Sequence, residues 1–255
     1  MTNVVFQVNI KGHRTKPEFD FSTKSWSNWC ESRGIEHFVL TDPIYDLNYM
    51  NANWHKFFVL ELLEKQGVEY EQVCIVDADT IVHPDCPNFF DISENKFGVV
   101  QSDGCYEWVN RSINLYHQHF FPKVSLKTWT YFNSGFMILN QSHRQFCDDV
   151  YNFYNENRDK IIDAQKTFLV GTDQTPINFL TRQHDIELKW LPNAYNLHDP
   201  YRKNLLHLDP SNWWPDNLDN LFNSGWVYHF NAVPANGMER HAGYWIERTF
   251  KELYT

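Results

Sequence analysis

Gln72-Val-Cys-Ile-Val-Asp-Ala-Asp-Thr-Ile-Val82 decides how this chain reads. Val73, Cys74, Ile75 and Val76 form a short apolar run, followed at once by Asp77 and Asp79 with one alanine between them. A run of this length and composition reads as a strand buried on both faces. Two carboxylates at its mouth repel by roughly 4 kcal/mol if they stand ~4 Å apart at an effective dielectric near 20. Such a pair makes sense where a cation is shared, and a hard divalent metal is the usual answer. Taken alone, the pair is equally readable as turn formers or as a cap for the residues that follow.

Outward from this stretch, strand and helix patterns alternate. Residues 4–10 and 37–41 read as strands, and 25–33 as a short helix. Residues 54–65 read as an amphipathic helix whose apolar face is Phe57, Phe58, Leu60, Leu62 and Leu63. Downstream, 97–102 reads as a strand ending at Asp103, 108–121 as a helix, and 131–140 as a strand interrupted by small residues. Helices are expected at 145–157 and 173–182. Residues 183–223 are loop-rich around a strand at 186–191; then a strand at 226–230 carries His229 and a helix closes the chain at 244–254. This order predicts an α/β fold: a mixed, mostly parallel sheet flanked by helices. The ligand crevice of such a sheet opens at the carboxyl ends of its strands, where Asp77, Asp79 and Asp103 emerge. No repeat, low-complexity stretch or long linker divides residues 1–255, so one domain is expected.

The chain is 42% hydrophobic over 255 residues, enough for a sizeable core. Its formal charge of −10 argues against nucleic acid or an anionic membrane surface as partner, because both require a basic face. A small anionic ligand needs a local metal, a few basic side chains and backbone donors instead. No apolar run approaches ~18 residues and the first residues do not read as a signal peptide, so a soluble, cytoplasmic protein without a transmembrane anchor is expected. Five cysteines without a Cys-x-x-Cys pair suggest reduced thiols and neither a disulfide framework nor a zinc site.

Four landmarks stand in order along residues 4–230: Asp77-Ala-Asp79 after its strand; Phe132-Asn-Ser-Gly135 with Asn140 beyond an apolar run; Thr172-Asp-Gln174 opening a helix; and Val227-Tyr-His-Phe230. Together they resemble the GT-A glycosyltransferases, most of all the glycogenin-like family 8 and neighbouring families, including enzymes of large DNA viruses. The resemblance implies a Rossmann-like GT-A fold. It also implies transfer of a sugar from a nucleotide-diphosphate sugar, UDP-linked, to a hydroxyl of a glycan, glycoconjugate or protein acceptor, with retention.

In that scheme residues 1–104 form the nucleotide-binding half and 105–255 the acceptor half. Asp77, Asp79 and His229 would hold Mn²⁺, or Mg²⁺, against the charge growing on the leaving diphosphate. A carboxylate and imidazole set suits Mn²⁺ somewhat better. Asp103 would meet donor-sugar hydroxyls. Asn133 and Ser134 form a small-residue step that a sugar ring can approach, and Asp173 and Gln174 would lie beside sugar and acceptor. Lys56 and Asn9 would face the phosphate or the nucleotide.

Each residue also has a purely structural reading: His229 as a hydrogen-bonded core histidine, Ser102-Asp103-Gly104 as a turn, the 133–135 step as a strand bulge, Thr172 or Asp173 as a helix cap, and Lys56 as a solvated lysine. Trp213-Trp214 and Tyr106 to Trp108 stand out as aromatic walls for an acceptor, or as core.

The chain departs from the family pattern after His229. A glycine and then Lys-Pro-Trp are usual there, the lysine binding the diphosphate, and this sequence has no lysine between His229 and Trp245. Arg240 is the substitute within reach in sequence, and an arginine can bind bidentately. The first strand differs too, since Asn9 is followed by Lys11, Gly12 and His13 where the family tends to place an Asp and a stacking Tyr. The alternatives are a haloacid-dehalogenase-like phosphohydrolase, with the first Asp of Asp-x-Asp as nucleophile, and a carbohydrate-binding module without turnover.

Overall fold

The computed structural model describes residues 2–11, 17–170, 173–206, 217–233 and 240–255. In chain order the elements are β1 (Thr2–Val8), α1 (Phe19–Glu31), β2 (Glu36–Leu40), α2 (Val59–Lys65), β3 (Tyr70–Val76), β4 (Thr80–Val82), β5 (Phe97–Gln101) and α3 (Tyr106–His119). They continue with β6 (Phe132–Leu139), α4 (Arg144–Phe168), α5 (Gln174–Gln183), β7 (Leu188–Leu191), β8 (Leu197–His198), α6 (Asp219–Phe222), β9 (Val227–His229) and α7 (Ala242–Tyr254).

Six strands form one sheet in the order β2-β1-β3-β6-β5-β7. β1 runs parallel to β2 and β3, and β5 parallel to β7, while β6 is antiparallel to both β3 and β5. The expected mixed, mostly parallel sheet is therefore present, with β6 as its reversed strand. A second sheet, β4-β9-β8, lies beyond the carboxyl end of β3.

Side chains on β3 alternate between two cores, which is why the strand reads as unbroken hydrophobic sequence. Val73 and Ile75 join Val4, Phe6, Val99, Met137 and Phe179 on one face. Cys74 and Val76 join Val5, Trp26, Trp29, Phe89 and Phe136 on the other, where Trp29 and Phe89 stack at 4.8 Å. Each large apolar side chain buried this way contributes roughly 1.5–3 kcal/mol. A third cluster, including Ile81, Tyr228, Phe230, Trp245 and Ile246, binds the small sheet to α7.

Several elements differ from expectation. α1 begins at Phe19 rather than residue 25, with Pro17 just ahead and Asp20 in its first turn, both favourable at a helix start. Its early turns are rich in Ser and Thr, which hides the helical pattern; the buried Ser22 hydroxyl accepts from Gln7 Nε2 at 2.8 Å. The helix expected over 54–65 is a 3₁₀ segment at Ala52–Phe58 followed by α2. The tighter winding turns Trp54, Lys56, Phe57 and Phe58 all inward. α4 runs on to Phe168 because Ile161 and Ala164 keep a buried stripe that the polar residues around them obscure. The loop-rich region contains the two-residue strand β8, too short to leave a periodic signal.

All five cysteines are free thiols. Among the described residues no helix is long and apolar enough to cross a membrane.

Candidate active site

The turn after β3 is pinned through its backbone. Asp77 N–H donates to Gly135 O at 3.0 Å, and Asp77 O accepts from Thr80 Oγ1 at 2.7 Å and from Gln7 Nε2 at 3.4 Å. Asp79 O accepts from Phe230 N at 2.9 Å, and Trp26 Nε1 donates to Thr80 Oγ1 at 2.9 Å. Both carboxylates therefore project from a backbone that β1, α1, β6 and the chain after β9 hold in one place.

The antiparallel pairing of β4 with β9 sets Thr80 opposite His229. Cross-strand partners stand about 5 Å apart, so the imidazole arrives beside Asp79 although 150 residues separate them in sequence. His229 Nε2 lies 3.2 Å from Asp79 Oδ1 and 3.8 Å from Asp77 Oδ2. One ligand atom from each of the three residues falls within 4.8 Å of the others. Burial by itself raises the Asp79 carboxyl, but the adjacent His229 outweighs it and holds Asp79 below the usual carboxylate value. Burial lowers His229, and the Asp79 charge more than offsets that, so the imidazole sits above its ordinary value. Asp77 is raised, first by burial, against the pull of Lys56 and His229. Two carboxylates and one imidazole on a polar rim are a donor set that fits a divalent cation.

Lys56 is not solvated. Its side chain is 2% exposed, and its ammonium lies 3.1 Å from Asp77 Oδ1 and 2.9 Å from Asp173 Oδ2. It also donates to Ser134 O at 3.0 Å. Burial alone would lower its pKa; the charges of Asp173 and then Asp77 reverse this and carry it above the lysine range. Asp173 in turn accepts from Asn53 Nδ2 at 2.6 Å and Ser134 Oγ at 3.1 Å. It occupies the position before α5 without capping the helix through its side chain. Gln174 Oε1 accepts from Ser134 N at 3.2 Å. Asp77, Ser134, Asp173, Gln174 and Lys56 thus form one connected group.

The 133–135 step is a bulge, since the register of β6 against β5 shifts between Val99 and Val100. Gly135 has a specific reason to lack a side chain: a Cβ there would stand 2.2 Å from His229 Cε1 and 2.9 Å from Asn133 Oδ1. Asn133 Oδ1 accepts from Gly135 N at 2.9 Å and from Asn196 Nδ2 at 3.0 Å, and Asn196 Oδ1 lies 3.2 Å from His229 Nδ1. Gly135→Ala is expected to push His229 off this position. Overpacking of this kind costs roughly 1–3 kcal/mol of stability. For a Mn²⁺ ion held by Asp77, Asp79 and His229, affinity read from the electron paramagnetic resonance signal of the free ion would fall at least about tenfold, as when a ligand's support is lost. Wild-type affinity in Gly135→Ala would show that the imidazole does not need this clearance.

Asp103 belongs to a neighbouring network. Its Oδ1 lies 3.2 Å from His198 Nε2 and 2.6 Å from Lys203 Nζ, and Asn193 Nδ2 donates to Oδ2 at 2.9 Å. Burial raises its carboxyl, while His198 and Lys203 together pull it well below the usual range. β8 sets His198 beside His229, so this network adjoins the Asp79 and His229 pair. Asn9 is buried at the end of β1, with Nδ2 donating to Thr23 Oγ1 at 3.2 Å and Asp20 Oδ1 at 3.3 Å. The Arg240 guanidinium lies 5.9 Å from the Tyr244 ring centre. Tyr106 is half exposed at the start of α3, and Trp108 Nε1 donates to Leu169 O at 3.2 Å. Gly12, His13, Thr172, Trp213 and Trp214 lie outside the described residues.

No family model and no curated protein matches the sequence. Solved structures do match in fold. One is a glycosyltransferase involved in glycosylation of the major capsid of PBCV-1, with a TM-score of 0.60 at 9% identity over 99% of this chain and 100% of that one. Another is galactosyltransferase LgtC with donor and acceptor sugar analogs, with a TM-score of 0.51 at 14% identity over 99% and 95%. A third is the apo glycosyltransferase GlyE of Streptococcus pneumoniae TIGR4, with a TM-score of 0.51 at 12% identity; it is covered over 61% of its own length and all of this chain. The chain has the GT-A fold. On the GT-A frame, Asp77 and Asp79 occupy the carboxyl end of a central strand, the crevice side of the sheet.

Sequence reading missed Asn53, Thr80, Asn196, His198 and Lys203. Asn196 follows the short turn Asn193–Tyr195, and nothing in its spacing from Asn133 or His229 marks it. The one available signal was compositional: polar residues packed into a loop that carries apolar Leu191, Tyr195 and Leu197.

Proposed function

We propose that the protein is a metal-dependent glycosyltransferase that moves a sugar from a nucleotide-diphosphate sugar, UDP-linked, to an acceptor hydroxyl on a glycan, glycoconjugate or protein. The observation that carries the reading is the convergence of Asp77, Asp79 and His229 at the carboxyl end of β3 in a GT-A fold. A bound Mn²⁺ or Mg²⁺ would supply positive charge to the leaving diphosphate. The two halves of the chain, 1–104 and 105–255, would contribute the nucleotide side and the acceptor side.

The chain's own residues divide the remaining work. Lys56 ties Asp77 to Asp173, so the metal end and the sugar end of the site share one buried cation. Ser134 and Gln174 are joined by a hydrogen bond at that sugar end, and Asn133 brings an amide to the same step. Neither nearby carboxylate is suited to act as a general base. Asp173 is engaged by Lys56, Ser134 and Asn53, and Asp103 is held strongly acidic by His198 and Lys203. A carboxylate as acidic as Asp103 removes an acceptor proton poorly. This supports retention, with the leaving phosphate assisting on the same face.

The direct test incubates the protein with a panel of nucleotide sugars and Mn²⁺ and measures nucleotide release, with a chelator as control. Phosphatase activity without nucleotide-sugar cleavage would sink the transferase reading. Metal-dependent binding without turnover, across varied acceptors, would favour a carbohydrate-binding module. With no lysine between His229 and Trp245, Arg240 is assigned to the diphosphate. Arg240→Ala should weaken donor binding at least tenfold, ~1.4 kcal/mol, in titration calorimetry. An effect within error would place that charge elsewhere.

A further inference from the structure

The hydrogen bonds around His229 have a polarity that begins at a group unable to reverse it. The backbone N–H of Gly135 donates to Asn133 Oδ1 at 2.9 Å, so the Asn133 atom at that position is the carbonyl oxygen. The Asn196 atom 3.0 Å from the same oxygen must be a donor, its Nδ2. The other arm of the Asn196 amide, 3.2 Å from His229 Nδ1, is then an oxygen, and only a protonated Nδ1 can meet it. Nε2 is left as the nitrogen facing Asp79 and Asp77. Asn196 is fully buried and Asn133 nearly so, so water cannot readily replace these bonds.

We infer that Asn196 is a positioning residue that fixes the Nδ1–H form of His229 and aims its Nε2 at the metal-binding face. Through Asn133 it also links that face to the amide assigned to the donor sugar. The inference rests on the metal-dependent reading above. A neutral imidazole binds a metal through its bare nitrogen, and the hydrogen bond at the other nitrogen sets which one that is. The bulge at 133–135 gains a reason as well: it brings the Gly135 N–H onto Asn133 and removes the side chain that His229 would strike.

Two measurements test this. In metal-free wild type, held alkaline enough that the imidazole carries a single proton, the nitrogen-15 shifts of His229 should show that proton on Nδ1 and leave Nε2 bare. In Asn196→Ala, checked for folding by circular dichroism, Mn²⁺ alone should bind roughly 10–100-fold more weakly, the usual effect of losing a ligand's orienting partner. A bare Nδ1 in wild type overturns the inference, as does Mn²⁺ affinity within about threefold of wild type in folded Asn196→Ala. If the variant does not fold, the wild-type spectrum decides alone. If wild type binds no Mn²⁺, the metal reading fails, while the nitrogen shift still decides the role of Asn196.

Discussion

Replacing Lys56 with methionine is expected to lower the unfolding free energy by about 3–5 kcal/mol, the usual result of removing one partner from a buried ion pair. Methionine fills a similar volume, so the loss reports charge rather than a cavity. Asp173 stays buried, and its neighbours Ser134 and Asn53 cannot supply a compensating charge. The melting temperature should fall on the order of 10 °C for a chain of this size. Adding Asp173→Asn should recover part of the loss, because the uncompensated charge goes with it. A loss under about 1 kcal/mol in denaturant titration would mean that water reaches the group.

The pH dependence has a definite sign. Lys56 gains its partners on folding, so its folded pKa stands above the ordinary 10.5. The stabilisation is complete below 10.5 and is lost as pH rises through the higher folded value. Wild type and Lys56→Met should converge in stability only in that alkaline range.

In the proposed function, Asp79→Asn should cut metal-dependent donor cleavage by roughly two orders of magnitude and leave the fold nearly intact. The new amide can turn its NH₂ toward the bare His229 Nε2, which lies 3.2 Å from Asp79 Oδ1 in the wild type, and Asp79 is a quarter exposed, so little stability rides on its charge. In the proposed function, metal binding depends on that charge directly. Losing about 3 kcal/mol of metal stabilisation corresponds to a rate loss of roughly two orders of magnitude. Mn²⁺ affinity and nucleotide release should fall together. Retained Mn²⁺ affinity would remove Asp79 from the ligand set, and retained affinity with lost cleavage would assign it to the donor instead.

Much of the candidate site was legible because its residues stand at strand ends, where hydrophobic runs stop abruptly. Asp77 and Asp79 follow β3, Asn133 is the second residue of β6, and His229 closes β9. The position of Lys56 was not legible. A 3.6-residue period over 54–65 leaves residue 56 free to face solvent, whereas the 3₁₀ turn at Ala52–Phe58 rotates it inward. The small-residue step at 133–135 was read as room for a sugar ring, and the structure places His229 against its glycine, Gly135. That contact joins residues 94 positions apart, which no local pattern encodes.

What the sequence determined by itself is the order of strands and helices, the buried central strand, and the carboxylate pair at its mouth. All three follow from short-range periodicity and from the expense of burying like charges together. Tertiary structure alone decided which distant groups answer those charges: Lys56 between Asp77 and Asp173, His229 opposite Thr80, and Asn196 behind His229. The reason is geometric. Partners brought together by strand register and a tight helical turn are fixed by the pairing of whole elements, so their separation along the chain carries no trace of it.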